Sequence, residues 1–76
     1  MNFKATQKGS EKRATLAKHE YPRWDVAECR VFDSIEQGHS TIKEIIDDLA
    51  DIVTPSTADV LRNIEFLKVH EFITVE

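Results

Sequence analysis

The stretch from Ser56 to Asn63 gathers side chains able to read a nucleic acid: Ser56, Thr57, Asp59, Arg62 and Asn63. An arginine grips guanine bidentately, and an asparagine grips adenine in the same way. Serine and threonine hydroxyls suit phosphate oxygens or base edges. Asp59 works against this, because it repels phosphate, although a carboxylate can accept a hydrogen bond from cytosine. Lys43, earlier in the chain, offers a further phosphate contact. All six are also what an ordinary solvated helix carries, so their meaning depends on where the fold places them.

Catalytic and metal chemistry finds less to work with. His19, His39 and His70 are scattered, with no cysteine or carboxylate at metal-ligand spacing, so no metal site is expected. Cys29 is the lone cysteine, which excludes an internal disulfide and fits a reducing, cytoplasmic compartment. On a core-bearing helix it reads as a small buried hydrophobe rather than a nucleophile. The only glycines are Gly9 and Gly38, so there is no glycine-rich phosphate loop. The expectation is a protein that is not an enzyme and has no cofactor.

Three helices have clear local signals. In "DVAE" Asp25 is an N-cap with Glu28 three residues on, the capping-box arrangement. Ala27, Val31 and Ile35, with Phe32 beside them, form an apolar stripe; Trp24 closes the start and Gly38 the end. "TIKE" opens a second helix, with Ile42, Ile45, Ile46, Leu49 and Val53 on one face. Glu44, Asp47, Asp48 and Asp51 line its opposite, solvent-facing side. "TPST" opens the third helix, over 55–69, with Thr54 as N-cap and Pro55 at the first helical position. Val60, Leu61, Ile64 and Leu67 are expected to face inward. "FITV" is a short β-prone run, and its expected partner is the chain around His39.

Charge divides the chain. Residues 1–23 hold six cations against two carboxylates, whereas residues 24–76 hold four against twelve. Residues 1–23 contain little apolar content, interrupted by Gly9, with Ser10 able to cap a short helix. They are expected to be a basic, partly disordered N-terminal arm. Residues 24–76 are expected to be the folded domain. The chain has no apolar run of the ~7–15 residues of a signal peptide or the ~20 of a membrane span.

The segment "TIKEIIDDLA…STADVLRNIEFLKVHEFITVE" resembles the helix-turn-helix and first wing strand of winged-helix transcriptional repressors of the ArsR/MarR type. "TIKEI" is similar to their second-helix opening, and "VLRNIEFLKVHEFITVE" to the recognition helix running into the wing. The resemblance covers roughly residues 25–76. It implies a mainly α, three-helix, winged-helix-like domain with a short C-terminal strand. It also implies a recognition helix whose exposed start meets DNA. Two departures accompany it: Glu71 stands where the family usually has glycine, and the chain stops after one wing strand.

The first expectation is therefore a small DNA-binding regulator of repressor type, reading double-stranded DNA through Ser56, Thr57, Arg62 and Asn63. Lys43 and the arm cations Lys4, Lys8, Lys12, Arg13 and Lys18 would hold phosphates. Phe66 and Val69 lie off the core stripe, and the arm's Leu16 and Tyr21, the final strand, or a second copy of the chain must cover them. The alternative is an acidic winged-helix protein–protein interaction module that inhibits or recruits a nucleic-acid-binding partner. A chain this short without a sensor domain suits a viral or mobile-element origin in either case. The arsenal of metal or redox sensing common in the resembling family has no ligand set here.

Overall fold

A computed structural model describes residues 1–52 and 54–76. The elements run β1 (Phe3–Ala5), α1 (Gln7–Ala14), a 3-10 turn (Leu16–His19), α2 (Val26–Glu36), α3 (Ile42–Leu49), α4 (Thr57–Val69) and β2 (Ile73–Val75). The protein is mainly helical, with a two-stranded antiparallel sheet.

Local chemistry explains most helix ends. The Asp25 N–H donates to Glu28 Oε1 at 3.3 Å, which holds the start of α2. Gly38, at φ 109°, turns the chain after α2 in a conformation that disfavours a side chain. Thr41 Oγ1 accepts from the Glu44 N–H at 3.2 Å and starts α3. Helix α3 stops at Leu49, and Val53, expected to continue its stripe, lies outside the described residues. Helix α4 begins later than its expected start at 55. Ser56 is the N-cap, its Oγ accepting from the Asp59 N–H at 3.1 Å, which leaves Thr54 and Pro55 outside the helix.

The core gathers Trp24, Val31, Phe32 and Ile35 with Ile45 and Leu49 of α3 and Val60, Ile64 and Leu67 of α4. Ile42 and Ile46 are half-buried against it. Ala27 and Leu61, both expected inside, are exposed: Leu61 stands one residue (about 100° of helix) past buried Val60, and Ala27 lies in the first turn of α2, ahead of the buried Val31–Ile35 segment. Trp24 anchors the aromatic centre, its ring 4.9 Å from Phe32 and 5.0 Å from Phe72. Each fully buried large apolar side chain contributes about 1.5–3 kcal/mol by leaving water.

The N-terminal segment departs most from expectation. Residues 1–23 are built into the fold rather than forming a basic, partly disordered arm. Strand β1 pairs with β2 in the register Phe3↔Val75, Lys4↔Thr74, Ala5↔Ile73. Phe3 is 5% exposed and belongs to the core. The Phe3 N–H also donates to the Ser40 carbonyl at 2.8 Å, so β1 lies between Ser40 and β2. The final strand therefore meets β1, not the chain around His39. Thr6, rather than Ser10, caps α1: its Oγ1 accepts from the Gly9 N–H at 3.1 Å. The same hydroxyl's proton is shared between the carbonyls of Glu71 (2.8 Å) and Phe72 (2.9 Å). Gly9 is buried where a Cβ would stand 2.4 Å from the Phe72 carbonyl oxygen and 2.7 Å from Phe32 Cε1. Only glycine lets α1 approach this closely.

Helix α4 ends in a six-to-one, five-to-two hydrogen-bond pair. The Phe72 N–H donates to the Leu67 carbonyl at 2.8 Å and the Glu71 N–H to the Lys68 carbonyl at 3.0 Å. That ending needs a left-handed residue, and Glu71 supplies it at φ 64°. The position where the resembling family carries glycine thus has the conformation that favours glycine, held by a glutamate.

Candidate interaction surfaces

The start of α4 presents some of the expected residues and turns others away. Ser56 and Thr57 are exposed, although the Ser56 hydroxyl oxygen is engaged as the cap. Arg62 is exposed and lies 3.2 Å from Asp59 Oδ1 on its own helix. Asn63 is half-buried and lines a groove against α2 instead of standing on the outer face. Lys43 donates to Asp47 Oδ2 at 2.7 Å, a hydrogen bond that raises the lysine's pKa.

A single electrostatic pattern covers α3 and α4. Residues 41–69 carry three cations, Lys43, Arg62 and Lys68, against six carboxylates. Each of the three cations sits beside a carboxylate one turn away: Lys43–Asp47 at 2.7 Å, Arg62–Asp59 at 3.2 Å and Lys68–Glu65 at 3.6 Å. Such exposed pairs stabilise little, but they neutralise charge where a phosphate would need it. Asp48 faces His39 at 3.6 Å, and Asp51 is exposed. The outward face of α4 then runs Ala58, Leu61, Arg62, Glu65 and Val69, with Leu61 50% and Val69 62% exposed.

The N-terminal cations lie elsewhere. Arg13 forms a two-pronged pair with Asp33 of α2, at 2.8 and 2.9 Å. That hydrogen bond raises the arginine's pKa. Lys12 Nζ donates to the carbonyls of Ala17 and Glu20, and Lys18 Nζ to the Thr15 carbonyl at 3.2 Å. Lys4 is exposed on β1. Lys8 and Lys12 stand 5.5 and 5.8 Å from the ring centroid of Phe72, just beyond the C-terminal end of α4. Helix α4 is about 20 Å long at 1.5 Å per residue. Lys8 and Lys12 are therefore at the opposite end of α4 from Ser56 and Thr57.

Phe66 is half-buried, its ring 4.9 Å from His70, while Val69 stays open. Leu16 (77% exposed) and Tyr21 (91% exposed) cover neither of them, although Tyr21 meets His70 edge-on at 6.3 Å. Cys29 is half-buried on α2, and burial raises its thiol pKa. Among the described residues no His, Cys, Asp and Glu group is placed to hold a metal ion. Among them, too, no helix is long and apolar enough to cross a membrane.

A surface groove of about 480 Å³ runs between the N-terminal halves of α2 and α4. Val31, Leu49 and Val60 form its floor, while Val26, Arg30, Asp59 and Arg62 stand among its walls. Sequence reasoning passed over Arg30 and Val26. The available signal was their spacing of four, which puts them on one face of α2. Comparison with family models, curated proteins and solved structures finds no match to this chain.

Proposed function

We propose that this domain is a non-catalytic protein-interaction module, docking the outward surface of α3 and α4 on a basic surface of a partner. The observation that carries this reading is the charge of residues 41–69, where six carboxylates stand against three cations, every cation is already paired, and exposed Asp51 is a carboxylate that pairs with none of them. Exposed Leu61 and Val69 add an apolar centre, the composition a protein partner covers and a phosphate backbone does not. The element order supports a winged-helix-like reading of the scaffold. In it β1 stands in for the second wing strand that follows the first in the resembling family. Such scaffolds serve partners of more than one class, so the surface decides the function. The test is binding of a 20-residue Lys/Arg-rich peptide to the protein and to an Asp47→Asn/Asp51→Asn variant. Binding that weakens with salt and weakens further in the variant supports the reading; equal binding by both contradicts it.

A second reading is a dimeric, repressor-type DNA-binding regulator. It is favoured by the exposed Ser56 and Thr57 at the start of α4, because helix starts attract phosphates, and by exposed Lys4 and Lys8. Sequence-independent affinity for duplex DNA at low salt, lost on replacing Thr57 and Arg62 by alanine, would select it.

A further inference from the structure

We infer that the groove between α2 and α4 receives a partner segment carrying an apolar side chain next to a carboxylate. The inference rests on the protein-interaction reading and names what part of a partner enters the fold. Of the four cations in residues 24–76, two line this groove. Arg62 is partly committed to Asp59 at 3.2 Å. Arg30 is half-buried, and among the described residues no carboxylate lies within 4.0 Å of it. Its guanidinium always carries charge and presents a planar fork that matches a carboxylate. On a body so rich in carboxylates, a cation left without one at the edge of an apolar groove marks where a partner's acid fits.

The apolar half of the site is equally defined. Val31, Leu49 and Val60 are nearly inaccessible and form a floor, and Val26 stands 66% exposed at the edge. A groove of about 480 Å³ takes one or two aliphatic or aromatic side chains, not a folded domain. A short amphipathic segment laid along it would bury its apolar residue on the floor and bring its carboxylate to Arg30. Asp59 restricts the acid to the Arg30 side, because it repels a second negative charge near Arg62.

The experiment is selection of a random dodecapeptide library displayed on phage against the full chain, followed by anisotropy measurements on the enriched peptides. The expected result is a consensus of an apolar residue beside Asp or Glu. Arg30→Gln should weaken those peptides roughly ten- to hundredfold, the range for a charge-assisted hydrogen bond. Val26→Asp gives a second check: an acid in the first turn of α2 suits the helix, yet it repels the segment. Thermal melts confirm that both variants fold. No enriched peptide, a consensus without acid, or peptides indifferent to both variants would overturn the inference. Binding of the Lys/Arg-rich peptide is read separately, so the docking surface and the groove can fail independently.

Discussion

Replacing Gly9 by alanine tests whether the N-terminal segment truly docks on the core, and the sign of the effect decides it. In a free or solvated helix the substitution stabilises, because alanine is favoured over glycine by about 1 kcal/mol. In this fold the new methyl would stand 2.4 Å from the Phe72 carbonyl oxygen and 2.7 Å from Phe32 Cε1. Neither obstacle is a flexible side-chain end: one is backbone and the other a ring with no exposed surface. Relief requires α1 to move away, which costs about 1–3 kcal/mol of overpacking. Movement also weakens the Thr6 N–H to Phe72 carbonyl bond at 3.0 Å and the Thr6 hydroxyl bonds, about 0.5–1.5 kcal/mol each. Set against the propensity gain, a net loss of about 2 kcal/mol follows. For a domain of this size that lowers Tm by roughly 8–16 °C. Calorimetry and urea melts measure it, with exposed Glu11→Ala on the same helix as a control expected to change little. A Gly9→Ala protein that melts above the parent would refute the docking of α1.

Three further outcomes follow from the same packing. Glu71→Gly removes a left-handed strain of about 1–2 kcal/mol and adds unfolded-chain entropy of about 0.4–1 kcal/mol, so a urea melt should show a net gain near 0.5–1 kcal/mol. Ser34 is 1% exposed, and its hydroxyl has no hydrogen-bond partner among the described residues. Ser34→Ala should therefore stabilise by about 1 kcal/mol, and a lower midpoint would contradict that. Cys29 has a folded thiol pKa raised by burial, so the unfolded chain loses its proton first. Stability should accordingly fall as pH climbs past the ordinary thiol value of about 8.5, and Cys29→Ala should flatten that fall. Iodoacetamide should label the native thiol more slowly than the unfolded one at neutral pH.

Legibility in the sequence followed the range of the interactions. Helices α2 and α3 were readable because their caps and stripes lie within a few residues: Asp25 with Glu28, Thr41 with Glu44, and the Ile45–Leu49 spacing. Strand β1 was not, because Phe3 is one aromatic in a polar stretch and its partner, Val75, stands at the other end of the chain. Gly9 read as an interruption since its need arises only from Phe32 and Phe72. At the candidate site, Ser56, Thr57 and Arg62 are exposed as a helix start implies. Asn63 turns toward α2, and Leu61 turns outward, because a residue's angle around α4 depends on which stripe packs. Glu71 was visible in the sequence as the residue that follows the third helix, and its backbone adopts the left-handed angle that favours glycine.

The most direct test of the docking proposal is a side-by-side salt titration of the full chain with a random 20-base-pair duplex and with the Lys/Arg-rich peptide. With three cations already paired and six carboxylates in residues 41–69, the account predicts peptide binding that weakens as salt rises and no duplex binding even at low salt. Duplex binding with a steep salt dependence, and none to the peptide, would contradict it and assign the α4 surface to DNA.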